Sequence, residues 1–287
     1  MPVSRSVARA GPLFATAVLA TAVLALPAQA STIAPGFTTT TFPANDDGAT
    51  GAQALGFSAN FFGTTYTNTF VSNNGYVTFN AGQGTYTPSG LGANYSGQPI
   101  IAPFFADVDT RGSGSGLTSF GTGTYNGHVA FGATWPAVGY YNSHVNKLDT
   151  FQVILDSRAD TGAGNFDIFF NYDTIQWETG DASGGSNGLG GTSAAAGFNA
   201  GNGNAAGTFF QLAGSLQNGA FLDGGPDALN TGTNDGVPGQ FLFQVRNGAV
   251  IVPTPVPTPV PTGVPEPATL AVLGAGLVGL GALRRRA

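Results

Sequence analysis

The sequence has no cysteine, two histidines and few charged residues, and each shortage excludes a class of protein. Charged side chains make up 8% of the 287 residues, against about 25% in an ordinary soluble domain. Without cysteine there is no disulfide framework, no thiolate zinc site and no thiol nucleophile, and two histidines cannot fill a three-histidine metal site. Nine lysine and arginine residues are too few for a nucleic-acid surface, which needs clustered positive charge. We therefore expect no nucleic-acid partner.

Glycine, phenylalanine and proline are abundant instead. The chain has 45 glycines, 22 phenylalanines and 18 prolines, and 42% of it is hydrophobic, which argues against disorder throughout. Residues 31–250 contain fourteen acidic residues, from Asp46 to Asp235, and four basic ones, which leaves this middle part with a net charge near −10. Such a charge keeps a domain soluble, repels anionic surfaces and suits divalent cations.

The first 30 residues have the three parts of a secretory signal peptide. Two arginines precede an uncharged apolar run over 14–26, and Ala28 and Ala30 form an A-x-A cleavage site. We therefore predict that residues 1–30 form a signal helix outside the folded domain, and that cleavage makes Ser31 the mature N-terminus. The alternative is an uncleaved N-terminal anchor, which the shortness of the apolar run disfavours.

The other end of the chain begins with a linker. Residues 251–264 are rich in proline, threonine and valine, a composition that packs no core and favours extended polyproline II. Residues 269–283 then form an uncharged apolar run. Such a run reaches about 22 Å as a helix, short of the roughly 30 Å hydrocarbon core. We therefore predict a short transmembrane helix suited to temporary retention in the membrane.

Three features follow one another in 265–287: a Pro-Glu-Pro triplet, the short apolar helix and a terminal arginine cluster. In this order they resemble the PEP-CTERM sorting signal of Gram-negative bacteria. The resemblance implies processing by an exosortase-type enzyme near the triplet, export to the outer surface, often in exopolysaccharide-producing bacteria, and transient anchoring in the inner membrane. A permanent C-terminal anchor is the alternative. The residues that carry the resemblance are Pro265, Glu266, Pro267, Arg284, Arg285 and Arg286.

Between these ends, residues 31–250 show the period-two pattern of β-strands. In the stretch 165–177, Phe166, Ile168 and Phe170 share one face of a strand, and mostly polar residues occupy the other. This alternation predicts strands with one buried face.

Turn signals separate the predicted strands. Asn73-Asn74-Gly75, Asp46-Asp47-Gly48 and the segment 160–164 have the composition of tight turns, and the first and last join strand pairs as hairpins. No stretch of the domain has a sustained helical period, so we predict an all-β fold, an antiparallel β-sandwich. Strands are predicted at 66–71, 76–80, 100–109, 127–135, 150–156, 165–177 and 240–246.

Several ordered blocks of this domain resemble the nidogen-like (NIDO) extracellular domain. The most specific block is 100–110, Ile-Ile-Ala-Pro-Phe-Phe-Ala-Asp-Val-Asp-Thr, with Phe105 where the family usually has tryptophan. The resemblance covers about 45–225. It implies an extracellular-matrix or cell-surface protein with a structural or adhesive binding role and no general catalytic activity. The other blocks are 71–79, 146–155, 166–180, 196–201 and 212–215.

Asp107 and Asp109 are the polar pair with the clearest chemistry. Two positions apart on a strand, their side chains would share one face about 6 to 7 Å apart, and would repel each other unless a cation or donor lay between them. One interpretation is a Ca²⁺ site with both as oxygen ligands. A second is a glycosidase carboxylate pair, and a third is a strand end whose carboxylates cap turns or pair with Arg111. We expect no other cofactor.

Histidine and aromatic side chains also have alternative interpretations. His128 and His144, with a serine and an aspartate, make a catalytic triad on paper, but no nucleophile-elbow motif supports it. Trp135, Tyr140 and Tyr141 form either a sugar-stacking platform or ordinary packing, and packing is the commoner role of aromatics at a β-edge.

The signal peptide, the C-terminal sorting signal and the nidogen-like blocks together predict a non-enzymatic exported protein. Its role would be structural or adhesive, at the cell surface or in the extracellular matrix. Its ligand would be a surface polysaccharide or a protein. The alternatives are a secreted polysaccharide-active hydrolase that uses Asp107, and a Ca²⁺-dependent carbohydrate-binding module.

Overall fold

The computed structural model describes residues 31–93, 95–203 and 205–251, and these are almost entirely strands and turns. The signal peptide, most of the linker and the sorting signal, residues 1–30 and 252–287, lie outside the described residues. The only helical element in the described part is a single 3-10 turn, Asp181–Ser183. The strands are β1 (Thr40–Thr41), β2 (Gln53–Phe61), β3 (Thr64–Ser72), β4 (Tyr76–Thr78), β5 (Ile100–Phe105), β6 (Ser119–Tyr125), β7 (His128–Tyr140), β8 (His144–Ser157), β9 (Phe166–Thr174), β10 (Ala195–Asn199), β11 (Phe209–Gln211), β12 (Gln240–Arg246) and β13 (Ala249–Ile251).

These strands form two sheets. The first has seven strands in the order β1-β6-β7-β8-β9-β12-β13, and the second has six in the order β11-β10-β5-β4-β3-β2. Every pair of neighbouring strands is antiparallel. The largest buried cluster takes side chains from both sheets, such as Phe151 and Phe170 from the first and Val71 and Phe104 from the second. The all-β class and the antiparallel sheets are therefore confirmed.

Both predicted hairpins are present. Asn73-Asn74-Gly75 joins β3 to β4, with Ser72 paired to Tyr76, and the segment 160–164 lies between β8 and β9, which pair from Thr150 to Ser157. In each case the turn supplies glycine where the chain reverses, and the strands on either side have the alternating pattern that specifies their register.

The predicted strand 100–109 is wrong at its end, because β5 stops at Phe105. Beyond that point the backbone leaves the sheet and bonds to loops: the amide of Ala106 donates to the carbonyl of Asn74 at 3.2 Å, and the amide of Asp109 to the carbonyl of Gly139 at 3.1 Å. Asp107 and Asp109 therefore lie in a loop, and the spacing expected on a strand does not apply to them.

The prediction of one buried face for β8 and β9 is also wrong. Ile154 and Phe169 point away from the main core but are still buried, in a small cluster with Phe37. The segment 31–39 lies across this face, and the side-chain amide of Gln152 exchanges two hydrogen bonds with the backbone of Ala34, of 3.0 and 2.8 Å. The segment that covers the sheet has no strand pattern of its own, so periodicity gave no sign of it.

Candidate functional site

Loops from both sheets meet at one end of the sandwich. The amide of Tyr141, at the turn between β7 and β8, donates to the carbonyl of Asp107 at 3.1 Å. The amide of Asp181 donates in turn to the carbonyl of Tyr141 at 2.9 Å. On the other side, the amide of Thr110 donates to the carbonyl of Asn45 at 2.9 Å. The loop after β5 is therefore held between three other segments of the chain.

Three acidic side chains come together in this place. Oxygen atoms of Asp46, Asp47 and Asp107 all lie within 4.8 Å of one another. We call these three residues the acidic cluster. They line a cavity of about 140 Å³ together with Tyr86, Tyr141 and Ala182.

Asp107 is the buried member of the acidic cluster. This residue is only 2% exposed, and its Oδ2 atom has no hydrogen-bond partner among the described residues. Burial, followed by the negative charges of Asp46 and Asp47, raises the pKa of Asp107 to about 7. Gly180 packs against this carboxylate so closely that a Cβ at that position would be 2.4 Å from Oδ2. The site thus has a carboxylate in a closely fitting pocket that gives its Oδ2 atom no donor.

Asp46 has a related environment. Burial and the charges of Asp109 and Asp47 raise its pKa to about 6, while Arg111 acts in the opposite direction. Its Oδ2 is 2.9 Å from Nη2 of Arg111, but its Oδ1 is buried without a hydrogen-bond partner in the part of the chain that the structure describes. One carboxylate oxygen of Asp46 therefore pairs with Arg111, and the other is buried without a partner of this kind.

Asp109 has different contacts from Asp107. Its Oδ1 accepts hydrogen bonds from the amide and Nε of Arg111, both at 2.9 Å, and its Oδ2 accepts from Nη2 of Arg111 at 2.6 Å and from the amide of Ser143 at 2.8 Å. Burial opposes ionisation here, but these hydrogen bonds outweigh it and lower the pKa of Asp109. Asp109 thus forms an ion pair with Arg111, and the carboxylates that lie close to Asp107 are those of Asp46 and Asp47.

Two asparagines that the sequence analysis assigned only to a turn hold the acidic cluster together. The side-chain amide of Asn73 donates to the carbonyls of Asp46 and Val108, both at 2.6 Å. Asn74 donates to Oδ1 of Asp47 at 2.9 Å and accepts from the amide of Val108 at 3.0 Å. The Asn-Asn-Gly signal identifies the turn, but these bonds to Asp46, Asp47 and Val108 reach 27 to 35 positions along the chain, so no local pattern reveals them.

We predict that Asn73→Ala destabilises the protein by about 2 to 3 kcal/mol, because it leaves buried backbone carbonyls without a donor. Chemical unfolding in urea measures this change. Asn68→Ala is the control, since Asn68 is exposed on β3, and we expect it to change the unfolding free energy by less than about 0.5 kcal/mol. Equal effects of the two variants would contradict the bracing role of Asn73.

The histidines do not form a catalytic triad in the described residues. His144 Nε2 is 2.9 Å from Oδ2 of Asp181, whereas the hydroxyl of Ser143 contacts Oδ2 of Asp109 at 3.3 Å. His128 lies in a separate ion cluster, with Nδ1 3.4 Å from Oδ2 of Asp156. No hydrogen bond joins a serine hydroxyl to either histidine within 31–251, as far as that stretch is described.

Asp156 makes stability depend on pH. Burial raises its pKa to about 6, although His128 opposes this. The folded protein therefore holds the proton more tightly than the unfolded chain, in which aspartate titrates near pH ~3.9. The contribution of Asp156 to stability is complete below about pH 4 and is lost as the pH rises to about 6. We predict that Asp156→Asn loses less stability over this range than the wild type.

Urea unfolding at several pH values between about 4 and 6 measures that slope. Asp173→Asn, at an exposed position of β9, is the matched control and should retain the wild-type slope. An Asp156→Asn slope identical to that of the wild type would show that the carboxyl of Asp156 is not what the pH acts on.

The aromatic residues belong to the core rather than to a platform. Trp135, Tyr140 and Trp177 are all 0% exposed, and Trp135 stacks on Phe151 with ring centroids 5.0 Å apart. Tyr141 is half-buried at the edge of the acidic cluster, under the guanidinium of Arg111 at 5.8 Å. The packing interpretation of Trp135 and Tyr140 is the one the structure bears out.

The residues assigned to sorting and processing lie outside the described part of the chain; they are Ala28, Ala30, Pro265, Glu266, Pro267, Arg284, Arg285 and Arg286. Within the described part, no helix has the length and apolar character needed to cross a bilayer. The predicted signal and transmembrane helices therefore stay predictions.

Known proteins similar to this chain agree with the resemblance to the nidogen-like domain. Alpha-tectorin of Mus musculus is 34% identical over 232 residues, which cover 71% of this chain and 10% of alpha-tectorin. Nidogen of Drosophila melanogaster is 29% identical over 208 residues, which cover 64% of this chain and 14% of nidogen. The chain thus spans only 10–14% of the length of these curated relatives. No solved structure matches it.

Two family models match the chain itself. The PEP-CTERM protein-sorting motif matches residues 263–286, which confirms the resemblance of the C-terminal segment to that signal. The nidogen-like domain matches residues 67–129 and 118–247. This match contains Asp107 and Asp109, whereas Asp46 and Asp47 precede it. Because the two matches together span 67–247, well over half of the 287 residues, the chain belongs to the nidogen-like domain family.

Proposed function

We propose that the protein acts outside the cytoplasm, at the cell surface or in the extracellular matrix, as a structural or adhesive component without enzymatic activity. The observation that carries this proposal is the combination of a nidogen-like domain over 67–247 and a sorting motif over 263–286 in one chain. The first is a domain found in extracellular-matrix proteins, and the second is typical of an exported protein. An extracellular binding role is what the family resemblance implies.

The order of the segments supports a mechanism of presentation. The linker 251–264 begins at the last residue of β13, and the 15 residues 253–267, which include most of it and the Pro-Glu-Pro triplet, would reach roughly 45 Å as polyproline II. The apolar run 269–283 would hold the chain in the inner membrane until an exosortase-type enzyme acts near Pro265, Glu266 and Pro267. During that time the linker would keep the β domain clear of the membrane.

A polar cleft is the surface best suited to a ligand. It has a volume of about 530 Å³, within the range of about 300 to 1,000 Å³ that is usual for ligand sites. Its lining residues Tyr140 and Asp181 directly precede Tyr141 and Ala182, which line the cavity of the acidic cluster. Its walls include His144, Asn146, Asp181 and Asn187, whose side chains offer hydrogen-bond donors and acceptors of the kind that sugar hydroxyls bind. The net charge near −10 of the domain favours a neutral polysaccharide over an anionic one.

The hydrolase alternative has less support from the geometry. The cavity beside Asp107 has a volume of about 140 Å³, below the range of small-molecule sites. Asp109, the other carboxylate of the predicted pair, is engaged by Arg111 and Ser143. We therefore expect the wild type and Asp107→Asn to be equally inactive on surface polysaccharides. Glycan turnover by the wild type that disappears in a folded Asp107→Asn variant would overturn the non-enzymatic proposal.

Mass spectrometry of the mature protein, combined with cell fractionation, tests the export proposal. We expect a chain that begins at Ser31, lacks the residues after the Pro-Glu-Pro triplet and is found at the surface or in the medium. Glu266→Ala should retain the C-terminal segment and stay in the membrane fraction, whereas Pro257→Ala in the linker should be processed normally. Cytosolic protein that retains Met1 would overturn the proposal.

A further inference from the structure

We propose that Asp46, Asp47 and Asp107 bind a Ca²⁺ ion, which joins the segment before β2 to the loop after β5. The site goes beyond the proposed function, because it does not depend on where the protein is sorted or what it binds. It also replaces the pair Asp107 and Asp109 by a set drawn from two parts of the chain that are about 60 positions apart in sequence.

The charges around the acidic cluster are not balanced by the protein. Its three carboxylates have oxygens within 4.8 Å of one another, and at such distances like charges raise each other's energy strongly. Arg111 is the only basic side chain that forms an ion pair with any of them within the described residues, and it is shared between Asp46 and Asp109. A divalent cation supplies the missing positive charge.

The hydrogen bonds give a second and independent reason. Asp107 is 98% buried, and its Oδ2 atom is buried without a hydrogen-bond partner among the described residues. Other buried acids of the same domain accept backbone hydrogen bonds: Asp149 accepts two, from Gln176 and Trp177, and Glu178 accepts two more. A buried carboxylate oxygen without a donor is costly, and metal coordination removes that cost.

The donors and the size of the cavity identify the ligand as a hard cation. Every side chain of the acidic cluster offers oxygen, and neither histidine belongs to it. A volume of about 140 Å³ has room for an ion and a few waters, since one water occupies roughly 30 Å³. Ca²⁺ takes six to eight oxygen ligands in flexible geometry, whereas Mg²⁺ requires a near-ideal octahedron. Three carboxylates on two separate loops, completed by water, fit Ca²⁺ better.

Asn74 and Gly180 are arranged to support such a site. Asn74 donates to Oδ1 of Asp47 at 2.9 Å, which orients that exposed carboxylate towards the other two. Gly180 packs against the carboxylate of Asp107, where the Cβ of any other residue would lie 2.4 Å from Oδ2 and displace it. From the values for extracellular modules we expect a dissociation constant on the order of 10⁻⁴ to 10⁻³ M, which suits a site that is filled only after export.

Two measurements on the purified full chain test the proposal, both starting from protein treated with chelator. Thermal unfolding with increasing CaCl₂ should show a rise in Tm that an added chelator reverses. Tb³⁺ titration should give luminescence sensitised by Tyr86 and Tyr141, which line the cavity, and Ca²⁺ should displace it. Mg²⁺ at the same concentrations should produce a smaller shift in Tm.

The variants separate a metal site from a merely structural cluster. Asp107→Asn and Asp47→Asn should each lower the Ca²⁺ affinity at least tenfold. In chelator, Asp107→Asn should melt at the same temperature as the wild type or higher, because it removes a repelling charge. If Asp107→Asn fails to fold, Asp47→Asn, at an exposed position, allows the same comparison of Ca²⁺ affinity and Tm with the wild type. Asp235→Asn, an exposed acid outside the cluster, should respond to Ca²⁺ like the wild type.

Three results would overturn the proposal. The first is a wild-type Tm and Tb³⁺ signal indifferent to Ca²⁺ up to about 10 mM, well above the expected dissociation constant. The second is an unchanged Ca²⁺ response in both cluster variants, which would place the ion elsewhere. The third is an equal response to Mg²⁺, which would make the assignment to Ca²⁺ wrong. None of these results affects the export proposal, whose test reads the chain termini and location.

Discussion

Gly75→Ala is expected to destabilise the protein by at least about 4 kcal/mol, an exceptionally large effect for a single substitution. Gly75 has φ +79°, and a Cβ on it would lie 1.7 Å from the carbonyl oxygen of Phe104 and 2.8 Å from its carbonyl carbon. The amide of Phe104 also donates to the carbonyl of Gly75 at 3.2 Å. The β3–β4 turn and the strand β5 must therefore separate to admit a methyl group, and that hydrogen bond is lost.

Gly63→Ala is the matched control for this effect. Gly63 lies in the turn between β2 and β3 with φ +87°, nearly the value of Gly75, but nothing lies within 4 Å of the position of its Cβ. Its substitution should cost only the strain of a left-handed residue, about 1 to 2 kcal/mol. Urea unfolding of both variants gives the difference. If the two lose the same stability, contact with Phe104 does not limit the residue at position 75.

The contrast between these glycines shows what a turn signal reveals and what it does not. Asn73-Asn74-Gly75 predicts a hairpin because the residues that tolerate positive φ are recognisable from the local sequence. Close packing of Gly75 on Phe104, and the hydrogen bonds of Asn73 to Asp46 and Val108, are tertiary contacts. No spacing rule connects residues that far apart, so the structural importance of this turn is not visible in the sequence.

Period-two alternation predicts a strand only where one of its faces is buried and the other is exposed. Alternation of Phe166, Ile168 and Phe170 correctly gives the face of β9 that packs on the second sheet. Phe169 breaks the alternation in sequence, and the structure explains it: this ring is buried on the opposite face, beside Phe37. The covering segment has an irregular backbone held by hydrogen bonds to Gln152, which leaves no periodic signal.

The sequence predicted one member of the candidate site, Asp107, but not the residues that lie beside it. Asp107 is an acid directly after a buried apolar strand, and such a position limits its access to solvent. The assignment of Asp109 as its partner depended on strand alternation, which ends with β5 at Phe105. Asp46 and Asp47 reach the site only because Asn73 and Asn74 hold their segment there, and that contact depends on the packing of the complete domain.

Trp135→Ala is expected to cost about 3 to 5 kcal/mol, the range for removal of a buried aromatic side chain. Trp135 is 0% exposed, its ring stacks on Phe151 at 5.0 Å, and its Nε1 donates to the carbonyl of Asn73 at 2.9 Å. The substitution thus leaves a cavity between the sheets and also removes a support of the segment that holds the acidic cluster. We therefore expect a weaker Ca²⁺ response in this variant, in addition to the loss of stability.

Two further variants distinguish the loss of ring packing from the loss of the hydrogen bond to Asn73 and provide a control. Trp135→Phe keeps a ring against Phe151 but removes the donor to Asn73, so it should lose less stability than Trp135→Ala. Val129→Ala, on the same strand but 48% exposed, should change the unfolding free energy by less than about 0.5 kcal/mol. Urea unfolding measures all three. If Trp135→Ala unfolds like the wild type but loses binding to a polysaccharide, the ring serves a sugar platform rather than the core, because only an accessible ring can be removed without opening a cavity.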